Sequence, residues 1–200
     1  MPRAICSKCN RALKVCLCPW ITPIENRVTL GILQHPSEVT QVKGTAKIAQ
    51  LSFQKVAVWV GESLDDLPEL QAWLQESMPV FLLYPEVAEQ QTVFKSFEMG
   101  EIIQQFQLEE IKVLVLDGTW RKTHKIMMLN SALRALNRVV LSPTAPSDYR
   151  IRKQKSADSL STIEAIYALY SQLEGSAQRY QPLLTAFDAM QAQQLRFRQR

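Results

Sequence analysis

Ile111-Lys112-Val113-Leu114-Val115-Leu116-Asp117 is an almost unbroken apolar run that stops on a carboxylate, and Gly118-Thr119-Trp120 follows it directly. A short continuous run of this kind, rich in valine and leucine, is the pattern of a strand covered on both faces, which is the usual state of strands in parallel sheets. Gly118 allows a tight turn, and Thr119 has a side chain able to cap a helix expected over residues 120–136. Working outward, residues 28–33, 55–60, 80–84 and 138–141 read as further strands. Helices are expected over 45–51, 67–76, 100–107, 160–173 and 177–197. Strands that alternate with helices define an α/β fold: a mostly parallel sheet with helices on both faces.

In open α/β sheets ligands bind beyond the carboxyl ends of the strands, so the strand ends are where chemistry is sought. Three of them are informative: His35-Pro36-Ser37-Glu38, Asp117-Gly118-Thr119-Trp120, and the stretch 142–159. Two readings of the second stay open. Asp117 and Thr119 satisfy free amides at a helix start while Trp120 is core, or Asp117 does chemistry while Trp120 stacks on a nucleobase or an adenine. The third holds Tyr149-Arg150-Ile151-Arg152-Lys153-Gln154-Lys155, too polar to be buried and longer than most connections. Arg150 and Arg152 fall on one side of an extended stretch, where guanidinium forks suit an anionic ligand. Leu160-Ser161-Thr162-Ile163-Glu164 then reads as a capping box, with Ser161 and Glu164 closing the helix start reciprocally.

The composition, 46% apolar and 21% charged over 200 residues, is that of an ordinary globular chain with a sizeable core. No apolar run approaches membrane-spanning length and the N-terminus lacks a signal-peptide core, so a cytoplasmic, monomeric protein without membrane contact is expected. The net charge of +4 is unevenly spread: residues 118–157 hold nine Lys/Arg and one acid, giving +8, while the remainder carries −4. Such a dipole attracts a polyanion to one face, although solvated helix faces produce similar clusters.

All four cysteines, Cys6, Cys9, Cys16 and Cys18, lie within the first 18 residues. A Cys-x2-Cys turn points two thiolates at one metal, and a second close pair completes a tetrahedron, so residues 1–22 are read as a structural zinc module ahead of a catalytic domain at 23–200. Two disulfides are the competing reading, disfavoured in a reducing compartment.

At these residues the chain resembles the DTW-domain family of tRNA-uridine aminocarboxypropyltransferases. The resemblance rests on an ordered set: the four cysteines, His35-Pro36-x-Glu38, Thr45, Tyr84-Pro85, Asp117-Gly118-Thr119-Trp120, Lys125, Tyr149-Arg150-x-Arg152 and Leu160-Ser161-Thr162-x-Glu164. It covers roughly residues 5–175, leaving Arg196, Arg198 and Arg200 as a candidate basic tail facing RNA. Arg121 stands where proline is common, and Gly44 and Ala46 flank Thr45 where some members have asparagine and glycine.

The resemblance implies a SPOUT-like fold with a C-terminal knot. It also implies transfer of the 3-amino-3-carboxypropyl group from S-adenosylmethionine to N3 of a tRNA uridine, releasing 5′-methylthioadenosine. Cofactor contacts are then expected from Tyr84, Pro85, Gly118, Thr119, Trp120, Arg150, Arg152, Leu160, Ser161, Thr162 and Glu164. RNA contacts are expected from Lys122, Lys125, Tyr149, Lys153 and Lys155. The leaving thioether needs no acid, whereas the imide nitrogen must lose a proton, so Asp117 is the candidate base, with loop orientation as its rival role. A SPOUT-type RNA methyltransferase and a non-catalytic zinc RNA-binding module are the alternatives.

Overall fold

Why the apolar segments form strands buried on both sides is visible in how their side chains divide. The computed structural model describes residues 4–85, 94–141 and 160–198. Its strands are β1 (Thr29–Gln34), β2 (Val56–Val60), β3 (Val80–Leu83), β4 (Ser96–Phe97), β5 (Lys112–Asp117) and β6 (Asn137–Val139). They form one sheet in the order β2-β1-β5-β3-β6-β4, and every neighbouring pair is parallel.

Along β5, Val113 and Val115 point into one apolar layer and Leu114 and Leu116 into the other. The first layer is closed by α1 (Ala46–Ser52), α3 (Met99–Gln105), α6 (Thr162–Leu173) and α7 (Ala177–Arg198). The second is closed by α2 (Pro68–Gln75), α4 (Trp120–Leu129) and α5 (Ser131–Ala135). Each side chain fully buried in these layers contributes about 1.5–3 kcal/mol. Gly31 in β1 is required by close approach: a Cβ there would lie 2.7 Å from the Trp73 ring, which packs beside Trp59.

Several expectations are corrected. The helix expected over 120–136 is two helices, because buried Asn130 interrupts it. The Asn130 amide donates to the carbonyls of Ile126 and Glu62, each at 2.7 Å, and its oxygen accepts from the Leu64 N–H at 2.7 Å. β4 has no counterpart among the strands expected from sequence. Thr119 occupies the capping position of α4, yet its side chain makes no capping bond. Trp120 is not core: it is 53% exposed.

Two arginines of the basic segment are spent on backbone carbonyls. Arg138 is buried and its guanidinium donates to the carbonyls of Leu133, Leu136 and Arg134, while Arg134 donates to those of Met127 and Met128. They close the ends of α5 and α4 and are not part of a phosphate-binding face.

Most of the C-terminal stretch is likewise integral, while Arg196 near its end is exposed and Arg200 lies outside the described residues. Tyr180, Leu183, Ala186, Phe187 and Met190 of α7 are buried in the first layer. The cysteine segment packs on the same layer through Cys9 and Leu17. Residues 142–159, whose path decides whether the chain is knotted, lie outside the described residues.

Candidate active site

The parallel sheet brings the carboxyl ends of β1, β5 and β3 side by side, and the cavities open there. A cleft of about 650 Å³ lies over the ends of β3, β5 and β6. Of the residues expected to hold the cofactor, Tyr84, Pro85, Gly118, Trp120, Leu160 and Thr162 line it. Trp120 stacks on Tyr84 with ring centres 5.4 Å apart and planes 11° from parallel, so an exposed indole is held flat by a buried phenol. Burial pushes the Tyr84 phenol up from its ordinary pKa, so it stays protonated at neutral pH.

A second cavity of about 290 Å³ lies on the other side of the β5–α4 turn and shares only Gly118 and Thr162 with the first. Asp117, Thr119, Lys122, Glu38 and Thr45 line it. A third groove, of about 350 Å³, continues from it through Glu38, Gln41 and Gly44 to Cys9, Arg11 and Lys14 of the cysteine segment.

Asp117, which directly precedes the Gly118 that borders both cavities, lines the second. It is 5% exposed, and both carboxylate oxygens accept a hydrogen bond. Gln34 Nε2 donates to one oxygen at 2.7 Å, and the Thr162 hydroxyl donates to the other at 2.6 Å. The first contact follows from strand register, since Gln34 and Asp117 are paired residues at the ends of β1 and β5. The second ties the site to the start of α6, where Ser161 and Glu164 form the expected capping box. The Thr45 hydroxyl accepts from the Ile163 N–H at 3.3 Å and holds the same helix start from α1. Ser161 and Glu164 therefore frame the site rather than line either cavity.

Gly118 sits in a tight space at the turn: a Cβ there would lie 3.2 Å from the Lys122 Cβ, while its φ is one any residue can adopt. Lys122 bonds Glu38 at 2.6 Å. One turn along α4, Lys125 bonds Glu62 at 2.5 Å, and Glu62 also meets His35 Nε2 at 2.5 Å. His35 Nδ1 accepts from the Ser37 N–H at 3.2 Å and so fixes the turn that carries Glu38. Lys125, and then His35, hold the Glu62 carboxyl below the usual carboxylate range. Of the four lysines expected to touch RNA, the two among the described residues are thus engaged by carboxylates, Lys122 inside the second cavity and Lys125 at the surface.

Gln34 is a site residue that sequence reasoning misses; nothing in its local pattern signals the role, and only strand pairing does. Arg150, Arg152, Tyr149, Lys153 and Lys155 lie outside the described residues.

The four cysteine sulfurs all lie within 4.8 Å of one another, with Cys6–Cys18 at 3.6 Å and Cys9–Cys16 at 3.7 Å, and no pair is a disulfide. Zinc–sulfur bonds of ~2.3 Å in a tetrahedron place sulfurs about 3.8 Å apart, so the cluster has the dimensions of a tetrathiolate metal site. Asn10 makes the tight turn by adopting a positive φ of 56°, which asparagine tolerates. Backbone N–H groups of Cys9 and Lys8 aimed at the Cys6 sulfur lower its pKa to about 6, while burial and the neighbouring thiols push Cys18 up to about 12. A cation at the centre of the cluster would compensate the Cys18 thiolate, which burial and the neighbouring thiols otherwise disfavour.

Among the described residues no helix is long and apolar enough to cross a membrane. No solved structure matches the chain significantly. Curated proteins do. A protein of Macaca fascicularis named tRNA-uridine aminocarboxypropyltransferase 2 is 31% identical over 96% of this chain and 64% of its own length. Its namesake in Mus musculus is 28% identical over the same shares, and that in Drosophila melanogaster is 30% identical over 90% of this chain and 70% of its own length. The chain thus spans 64% of the length of the two mammalian relatives. The DTW domain profile matches residues 3–195, so the match extends through α7 and past the limit near residue 175 expected from motifs alone. A match of that extent means that the chain belongs to the DTW-domain family.

Proposed function

We propose that this protein transfers the 3-amino-3-carboxypropyl group of S-adenosylmethionine to N3 of a uridine in tRNA, releasing 5′-methylthioadenosine. The observation that carries the reading is Asp117, a buried carboxylate held in place from two sides in the second cavity, next to the Gly118 that borders both cavities. A two-substrate transfer needs such a divide, with a donor on one side and an acceptor on the other. The larger cleft, with apolar walls and the Tyr84–Trp120 stack, suits the adenosine of the donor. Arg150 and Arg152 are assigned to the donor's carboxylate, where a fork bonds both oxygens. Gripping that end decides that the methylene carbon and not the methyl is attacked.

Asp117 takes the N3 proton. Gln34 and Thr162 orient its carboxylate for that contact, one bond to each oxygen. Lys153, Lys155 and Tyr149 are assigned to RNA, together with the exposed ammonium of Lys125. Cys6, Cys9, Cys16 and Cys18 would hold one Zn²⁺ as thiolates; four protein ligands would leave the metal no open position, which suits a structural role.

The test is incubation of purified protein with S-adenosylmethionine and unmodified tRNA, followed by nucleoside mass spectrometry. The expected product is uridine carrying an aminocarboxypropyl group, with methylthioadenosine as co-product. A methylated nucleoside with S-adenosylhomocysteine would make the protein a methyltransferase. Binding of tRNA without any new nucleoside would make it an RNA-binding module.

A further inference from the structure

Lys122 is placed unlike a phosphate-binding lysine. Its side chain is 28% exposed, against 57% for Lys125 one turn later on the same helix. Its ammonium is pinned at 2.6 Å by Glu38, whose own side chain is 10% exposed, and both groups line the 290 Å³ cavity that Asp117 enters. The charged groups facing that cavity are Glu38, Lys43, Asp117 and Lys122. A cavity of this size is at the small end for a ligand site and suits a single extruded base.

Uracil presents two carbonyl acceptors flanking one N–H donor. The cavity offers the complement: a carboxylate acceptor at Asp117 with cationic and hydroxyl donors beside it at Lys122, Lys43 and Thr119. Cytosine, with an amino group and no N3 proton, would set donor against donor at one edge and leave the carboxylate without a proton to accept.

Resting on the transfer reaction above, we infer that this cavity is the acceptor site and that Lys122 is a catalytic residue, stabilising the charge that grows on the uracil carbonyls as N3 loses its proton. The step balances. The N3 proton passes to the Asp117 carboxylate, so the negative charge moves from Asp117 to the base beside Lys122, and the net charge of the cavity is unchanged. The N3 lone pair then forms the bond to the methylene carbon of the donor, and the carbon–sulfur pair stays on sulfur, which leaves as a neutral thioether. Asp117 returns its proton to water. A preorganised cation at the site of developing charge is worth most in a cavity from which water is excluded.

Single-turnover rates at saturating tRNA, followed from mildly acidic to alkaline pH, test this with Lys122→Met, Lys122→Arg and the double variant Lys122→Met/Glu38→Gln. The double variant removes the carboxylate that the single change would orphan. Expected is a loss of about two orders of magnitude at neutral pH for both methionine variants, the scale of one lost donor to a developing oxyanion. The deficit should shrink as the pH approaches that at which the imide ionises unaided, and arginine should recover part of the rate. The salt dependence of tRNA affinity should not change. A parental rate in Lys122→Met or in the double variant, with a salt slope lower by about one, would make Lys122 a phosphate contact and overturn the inference alone. A parent protein that makes no aminocarboxypropyl-uridine overturns the transfer reading and this one with it.

Discussion

Asp117 carries two duties that a substitution can separate. Its carboxylate ties β1 to the start of α6 through Gln34 and Thr162, and in the proposed reaction it also receives a proton. Asp117→Asn keeps the first duty, because the Gln34 amide can turn to present its oxygen to the new NH2 while Thr162 still donates to the remaining oxygen. It removes the second. The variant is expected to fold normally and bind S-adenosylmethionine within a few-fold of the parent, while the single-turnover rate falls by about two orders of magnitude or more. Weakened donor binding with an unchanged rate at saturating donor would make Asp117 a loop-shaping residue. The motif itself was legible in sequence because an apolar run ending on Asp-Gly is a strand ending at a ligand-binding edge. Its partners were not: Gln34 and Thr162 are 83 and 45 residues away, and only strand order and register bring them to Asp117.

At the scale of elements, strands read well where burial on both faces forces a long apolar run, as in β1 and β5, and badly where it does not. β4 is only Ser96–Phe97, one pair at the edge of the sheet, and leaves no run to detect. The break between α4 and α5 was invisible for another reason. No glycine or proline marks it; Asn130 breaks the helix by committing its side chain to distant backbone groups, as asparagine does where it competes with the helix's own bonds. Asn130→Ala strands the buried Leu64 N–H and the carbonyls of Glu62 and Ile126. The expected cost is about 2–4 kcal/mol in urea unfolding, the scale of a few orphaned groups partly rescued by water. A cost below about 0.5 kcal/mol would mean that the break is set by something other than these bonds. The segment Asn130 anchors carries Glu62, so the same variant should also loosen the hold on His35 and Lys125.

Across the whole molecule, charge counted along the chain proved a poor map of the surface, since Arg134 and Arg138 cap helix ends and Lys122 and Lys125 are met by carboxylates. What links the cysteine cluster to the chemistry is instead its position. Arg11, within the cysteine loop, donates to the Gly44 carbonyl at 3.1 Å, and Gly44 lines both the proposed acceptor cavity and the groove beside it. Gln193 of α7 donates to the Cys16 carbonyl at 3.2 Å, so the cluster also braces the last helix. The larger cleft, proposed for the donor, shares no residue with that groove. Metal removal should therefore act on one substrate and not on the other. Freshly purified protein is expected to hold one zinc per chain. Stripping it with a chelator, or changing Cys16→Ser, should lower the melting temperature by roughly 10 °C, as several kcal/mol of metal-coupled folding would in a chain of this size. Affinity for tRNA should fall about tenfold or more, while affinity for S-adenosylmethionine stays within about twofold, because the cysteine loop supports Gly44 on the proposed RNA side and the groove it lines shares no residue with the cleft proposed for the donor. Equal losses for both ligands would show that the cluster supports the whole sheet and not the acceptor side. Protein that is free of zinc when first isolated, with its tRNA affinity intact, would remove the metal from the account altogether.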